Sequence, residues 1–333
     1  MTQTTAAAAT DCGPEVLAVI ATLGRSPVLD ESLASLERER ARVDLRSVVV
    51  LQSPDGEAPP PLLVQKLDST ADHLERLDQP RGFAAANNLG HRIGIERFGS
   101  PRWLLLMNDD AVLGEGWLEA MIATLEANSD AATAQALNLL PAEPSDAPSA
   151  RYQPEARVDG AGIGWNHRFQ AIQIGHGRPA STERHTSDQP REVFGTSATA
   201  VLLRSAAVDA VGDELFDTSF GTYYEDVDLA CRLRAAGWRA LSRRDVTCRH
   251  HASSSAPRHR RRLLVANRHL VLARALGRSY PLRMPLLLLR DVLDFGPHAI
   301  VGWLRALPHL PKFLHLAAPL ELDPHHPFDG PLS

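Results

Sequence analysis

Val16 to Ala21 is a run without a polar residue, and the next apolar positions, Leu29, Leu33 and Leu36, recur at the spacing that places them on one helix face. Val48 to Leu51 is a second short apolar run, so the chain opens as strand, helix, strand. Gly82 to Phe98 carries helical spacing. Trp103 to Met107 is apolar throughout, as in a strand buried on both faces, and Trp117 to Ala127 reads as the next helix. Thr199 to Leu203 predicts another strand, and a helix starting near Tyr223 runs to Gly237, a residue suited to end it. Such alternation predicts an α/β fold with a mostly parallel sheet flanked by helices. Pro141 to Pro154 and His176 to Pro190, rich in Pro, Ser and Asp, read as exposed loops around the apolar segment Ala161 to Ile174. There is no internal repeat.

The last fifty or so residues change character. Met284 to Leu293, Ala299 to Leu307 and Phe313 to Leu320 are leucine-rich helical stretches broken by Pro297, Pro308, Pro311 and Pro319. Arg283, Arg290, Asp291 and Arg305 exclude a spanning helix, and no apolar stretch reaches the roughly 18 to 20 residues that a bilayer demands. With Trp303, the arginines suit amphipathic helices lying in a membrane interface. Contact with a second subunit, as a homodimer, and plain packing on the core are the other two readings. The organisation expected is a disordered tail over 1–13, a main α/β domain over 14–275 and an amphipathic C-terminal helical region over 276–333.

Composition narrows this picture without altering it. The 333 residues are 44% hydrophobic and 23% charged, enough for a full core. A formal charge of −5 leaves no overall basic field, so no nucleic-acid partner is expected. Cys12, Cys231 and Cys248 are far apart and odd in number, which suits a reducing cytoplasm and excludes a disulfide framework or a zinc ribbon. The opening MTQTTAAAATDC lacks the basic and leucine-rich parts of a signal peptide. A cytoplasmic protein, peripheral at the inner membrane surface if its last helices touch it, is the expectation.

Candidate chemistry lies in three places. Asn108-Asp109-Asp110 ends the apolar strand, where ligands gather in open α/β sheets. Two acids released side by side repel unless a cation joins them, and Mg²⁺ or Mn²⁺ commonly takes one or two carboxylates plus substrate phosphates. Capping of the turn into the helix at Trp117 would account for the same acids structurally. In Thr222-Tyr-Tyr-Glu225-Asp226-Val-Asp228 the spacing of Thr222 and Glu225 is that of a capping box, and the helix dipole favours ionised acids in a first turn. Arg249-His250-His251 precedes a basic stretch, Arg258 to Arg262, which is either an anion site or an exposed charged helix face.

Several segments share one resemblance: Arg81-Gly-Phe-Ala-Ala-Ala-Asn-Asn88-Leu-Gly90; Leu104 to Asp110; Gly195 to Arg204 with Val211-Gly212 and Phe216-Asp217; Tyr224 to Leu229 with Arg232 to Trp238; His250 with Ser255; and Asn267-Arg268. In order and spacing they resemble glycosyltransferase family 2, most closely its bacterial rhamnosyltransferase-like branch, over about Val16 to Leu272. The resemblance implies a GT-A-type, Rossmann-like catalytic domain and an inverting, metal-dependent glycosyltransferase. Asp110, with Asn108 or Asp109, would hold Mg²⁺ or Mn²⁺, and His250 would be a further metal or diphosphate ligand. Asp109, Arg81 and Asn88 would contact a nucleoside-diphosphate sugar, a TDP-rhamnose or a UDP-sugar, and Arg261 or Arg262 would close over it. Asp226 would take the proton from the hydroxyl of a glycan, lipid-linked or small-molecule acceptor.

One departure bears on the nucleotide. Family members usually carry valine-aspartate-asparagine after the second strand, whereas this chain has Val50-Leu51-Gln52-Ser53-Pro54-Asp55-Gly56, and Pro80 replaces a common asparagine. Gln52 as a hydrogen-bond partner and Asp55 as a displaced carboxylate are the two candidates for the missing contact. A catalytically silent sugar-nucleotide-binding or scaffold subunit would also fit Leu51. A nucleotidyltransferase would use a metal and strand-end acids, but would have no need of Asp226.

Overall fold

The structure is a computed structural model that describes residues 13–54, 57–141, 156–184, 186–212, 214–252, 259–320 and 322. Of the tail over 1–13, only Gly13 is among them. The opening strand-helix-strand unit is β1 (Val16–Thr22), α1 (Leu29–Arg40) and β2 (Leu45–Gln52). A helix and strand not foreseen from the pattern follow, α2 (Pro61–Thr70) and β3 (His73–Leu77), then α3 (Phe83–Phe98), β4 (Trp103–Met107), β5 (Ala111–Leu113) and α4 (Trp117–Ala127). The chain continues through β6 (Ala131–Leu139) and the short strands β7 (Val158–Gly160), β8 (Ile163–Trp165), β9 (Ala171–Gln173) and β10 (Arg191–Val193). β11 (Ala200–Arg204), α5 (Ser205–Asp209), α6 (Glu225–Ala235) and β12 (Arg239–His250) complete the sheet region. The helices α7 (Arg260–Leu276), α8 (Tyr280–Phe295), α9 (Pro297–Ala306) and α10 (Leu310–His315) close the described chain.

Among the described residues the main sheet has ten strands, with the order β10-β12-β6-β11-β4-β1-β2-β3 and with β5 and β7 added on β12 and β6. β4, β1, β2 and β3 run parallel, in registers such as Val19 opposite Leu106 and Thr22 opposite Leu51. β11 enters antiparallel between β4 and β6, so the sheet is mixed. Alternation along each strand divides the core. Val16, Ala18, Ile20, Val49, Leu51, Leu105 and Met107 face α1, α2 and α4, whereas Leu17, Val19, Val48, Val50, Leu104 and Leu106 face α3, α5 and α6. α3 lies close on β1 because it presents glycine there. A Cβ on Gly90 would come within 2.5 Å of Val19 Cγ1, and one on Gly94 within 2.4 Å of Leu17 Cδ2.

Two local expectations change. The capping box of Thr222 and Glu225 does not form: α6 starts after Tyr223 and Tyr224, both left-handed at φ 73° and 68°, with no side chain capping it. The segment His176 to Pro190 is not uniformly exposed, because it plants a buried Glu183 between Arg178 (2.8 Å) and Arg244 (2.5 Å). The basic stretch opens α7, which the pattern left undefined, and α8 starts before Met284 and carries Pro285 inside it. α7 is the post on which the later helices lean, with α9 and α10 packed along it. No helix among the described residues is long and apolar enough to cross a membrane.

Candidate active site

The carboxyl ends of β1, β2 and β4 deliver Thr22, Gln52 and Asn108 to one edge of the sheet. Asn108 N–H donates to the Thr199 carbonyl (2.8 Å), and Thr22 Oγ1 donates to Asp109 Oδ2 (2.5 Å). Burial pushes the Asp109 carboxyl up to about 6, the Thr22 hydrogen bond opposes that rise, and the charge of Asp110 adds to it. Asp110 is 6% exposed. His250 reaches it because β12 passes from β6 to pair with β5, placing His250 opposite Ala111. His250 Nε2 lies 3.2 Å from Asp110 Oδ1, and Nδ1 lies 2.7 Å from Asp159 Oδ2. Burial opposes a charge on this ring, but the hydrogen bonds and charges of Asp110 and Asp159 prevail and raise its pKa to about 9.

Asp109 and Asp110 do not cap the helix at Trp117. Glu39, from α1, does so, accepting from the N–H groups of Gly116 (3.1 Å) and Leu118 (2.7 Å). Capping of α4 therefore does not account for this acid pair, whose side-chain partners at the buried strand end include His250 and Thr22.

The second acid pair opens α6. Asp226 accepts from the N–H of Val227 (2.8 Å) and from the backbone of Ala198, while burial holds its pKa above the ordinary aspartate range. Glu225 beside it is also held well above its ordinary value, by burial first and then by the charge of Asp226, and its buried Oε2 has no hydrogen-bond partner. Ala198 and Thr199 are consecutive, so one short segment touches Asp226 with its first residue and Asn108 with its second. The acid-bearing turn is held from below by Asn267 on α7, whose Nδ2 lies within hydrogen-bond reach of the carbonyls of Phe220 (2.9 Å), Thr222 (3.0 Å) and Tyr223 (2.7 Å). Asp228 is structural: Arg274 (2.6 Å) and Arg232 (3.0 Å) occupy its two oxygens.

The remaining sequence candidates divide. Gln52 is buried at the end of β2, and its Oε1 accepts from the N–H of Arg81 (2.8 Å), tying the loop before α3 to the strand ends. Leu51, standing where the family carries its acid, is 1% exposed and belongs to the core beneath α1 and α2. Asp55 lies outside the described residues. Asn88 pairs its amide with the backbone of Phe216 (2.7 and 2.9 Å), which fixes α3 to the segment before α6. Arg261 is exposed, and Arg262 lies 3.4 Å from His298 on α9. The basic residue beside the acid turn is Arg260, stacked 5.4 Å over the Tyr223 ring.

Sequence reasoning missed Thr22, Glu39 and Asp159, and it singled out Asn267 without assigning it a role. Thr22 carried a faint signal, as the polar residue that closes the first apolar run. Asp159 carried none, being 91 positions from His250.

A divalent cation fits this donor set in one respect and not in another. Asn108 Oδ1 is buried without a partner, and Asp109 and Asp110 repel, which a cation would relieve. The described residues nevertheless hold no group of three or more His, Cys, Asp or Glu side chains converging on one point. Asp110 and His250 supply two ligands at most with Asn108 beside them, a number that suits a cation whose other ligands come from substrate phosphates.

The family described as "Glycosyltransferase like family 2" matches residues 14–266. The N-acetylglucosaminyl-diphospho-decaprenol L-rhamnosyltransferase of two Mycobacterium tuberculosis strains is 29% identical over 259 residues, which are 73% of this chain and 78% of the relative. Among solved structures, GalNAc-T7 with UDP, GalNAc and Mn²⁺ is similar with a TM-score of 0.59 at 12% identity, over 92% of this chain and 58% of that one. That likeness is one of fold, and the fold is GT-A.

Proposed function

The chain belongs to glycosyltransferase-like family 2 and is a sugar-transferring enzyme, and from that premise we propose an inverting transfer from a nucleoside-diphosphate sugar, with Asp226 as general base. The observation that carries the reading is the Ala198–Thr199 segment, which ties a basic carboxylate to a strand-end acid cluster. The acceptor hydroxyl gives its proton to Asp226 while its oxygen forms a bond to the anomeric carbon, and the bond from that carbon to the diphosphate oxygen breaks on the opposite face. Burial makes Asp226 a stronger base than an exposed aspartate, and the N–H groups on it fix its direction. Gln52 and Arg81 line the nucleotide side, where Leu51 offers no charge, and Thr22 and His250 orient Asp109 and Asp110 toward the diphosphate. Mg²⁺ or Mn²⁺, held by Asp110 with His250 and Asn108 or Asp109, would neutralise the charge of the departing diphosphate.

The Mycobacterium relative is named for L-rhamnosyl transfer to a decaprenol-linked acceptor, which favours TDP-rhamnose over a UDP-sugar as donor and a lipid-linked glycan as acceptor. A donor screen that measures nucleoside-diphosphate release with and without EDTA tests the proposal. Turnover with a dTDP-sugar, abolished by EDTA and reduced at least about a hundredfold in Asp110→Ala, is expected. Full turnover in EDTA overturns the metal role. Nucleotide-sugar binding without release in any donor and acceptor combination would assign the chain to the silent binding class instead.

A further inference from the structure

α9 is packed inside out. Its inward stripe is Ala299, Gly302 and Ala306, small residues that let it press onto α7, where a Cβ on Gly302 would lie 2.6 Å from the Arg262 carbonyl. Ile300, Val301 and Leu304, with Leu307 just beyond, face outward, while Trp303 is half-buried against Tyr280. α8 does the same over a longer stretch. Tyr280, Leu287 and Asp291 are buried, with Asp291 locked to Arg268 and to His269 (3.0 Å), while Leu282, Leu286, Leu289 and Leu293 form an exposed stripe at four- and three-residue spacing. Leu282 at 85% and Leu293 at 77% exposure have no covering neighbour among the described residues.

Charge decides what covers this face. Between 259 and 320 the sequence holds ten Arg and Lys against two Asp, in a chain whose net charge is −5. Both acids are already neutralised: Asp291 is buried against Arg268, and Asp294 meets Arg168 at 2.9 Å. Among the cations, Arg268, Arg274 and Lys312 are paired with Asp291, Asp228 and Asp217, whereas Arg283 and Arg305 are exposed on α8 and α9 and Arg278 belongs to the turn between α7 and α8. A second copy seated on the same stripe would bring two such basic faces together. An anionic lipid surface answers the leucines and the arginines at once, with apolar side chains entering the acyl boundary and cations resting on headgroups. α8, with 16 residues, is about 24 Å long, too short to span the hydrocarbon layer and suited to lie along it.

We propose that the outer face of α8 and α9 docks on the surface of an anionic lipid bilayer. The test is vesicle flotation of the full chain, with phosphatidylcholine alone or mixed with phosphatidylglycerol, at low and high salt. The expected result is about tenfold or greater enrichment on the anionic vesicles, weakened by salt. Leu282→Glu/Leu293→Glu lowers that binding at least about tenfold, and Arg283→Glu/Arg305→Glu brings it to the phosphatidylcholine level. All four positions are exposed and Arg283 gives up only its stack over the Phe169 ring (5.5 Å), so the thermal melt followed by circular dichroism shifts little. Equal recovery with both vesicle types, or variants that bind like the parent chain, overturns the proposal. So does a dimer in sedimentation equilibrium that Leu282→Glu/Leu293→Glu dissociates in a chain that binds no vesicle, because the face then belongs to a second copy.

Discussion

The two acid pairs, Asp109-Asp110 and Glu225-Asp226, have nearly the same composition and opposite support. The strand-end pair has side-chain partners: Thr22 donates to Asp109, and His250, between Asp110 and Asp159, faces the second carboxylate. The helix-start pair is met by backbone N–H groups, those of Val227 and Ala198 on Asp226 and its own on Glu225, while Glu225 Oε2 has no hydrogen-bond partner. Neighbours that compensate negative charge make a cradle for cations and phosphates. Burial raises both Asp109 and Asp226 to about 6, so the pairs differ in their partners rather than in proton affinity. On that difference in placement, the proposed reaction gives metal and diphosphate binding to the first pair and base catalysis to the second.

That division can be broken experimentally. Asp226→Asn keeps the shape and removes the base, so kcat is expected to fall about a thousandfold with little change in donor KM. A comparable fall in donor affinity, measured by calorimetry, would erase the contrast. Asn267→Ala removes the amide that holds three carbonyls of the acid turn. It should lower stability by about 1–3 kcal/mol in denaturant unfolding and kcat by about tenfold, while leaving Mn²⁺ binding intact. Thr22→Val acts only on the strand-end pair, and Mn²⁺ titration in the presence of nucleoside diphosphate should show affinity weakened by up to about tenfold at an unchanged acid limb of the pH profile.

The smallest effect concerns that limb. Because burial raises Asp226, it is protonated at a pH where an exposed aspartate is ionised, and activity should be lost as pH falls toward that raised value, above the ordinary ~4. Glu225 is raised as well, by burial first and then by the charge of Asp226. Glu225→Gln is expected to leave the limb in place, as it should if Asp226 sets it, and a shift toward lower pH would mean that Glu225 bears charge in the working enzyme.

Much of this was legible in the sequence wherever local pattern governs. β1, β2, β4 and the helices α1, α3 and α4 follow from apolar spacing, and the strand-end and helix-start positions picked out both acid pairs, to which the family resemblance attached roles. What failed to show depends on distant pairing. Strand β6 is buried along its whole length, yet AATAQALNL is too rich in alanine and polar residues to read as a strand; its neighbours β11 and β12 make it one. The capping box looked sound at Thr222 and Glu225, but Asn267 holds the preceding turn in another conformation. Asp159 came to His250 on the short strand β7, which no spacing rule links to β12. Glu39 looked like an ordinary polar residue of α1 until the sheet set it beneath α4.

The paired left-handed tyrosines ahead of Asp226 set a trade between durability and turnover. Each non-glycine residue held there costs about 1 kcal/mol or more. Tyr223→Asn, which tolerates that conformation, should raise the melting temperature and at the same time loosen the aim of the base. A search for heat-resistant variants would select changes at this turn early, and the enzymes it returned would be sturdier and slower.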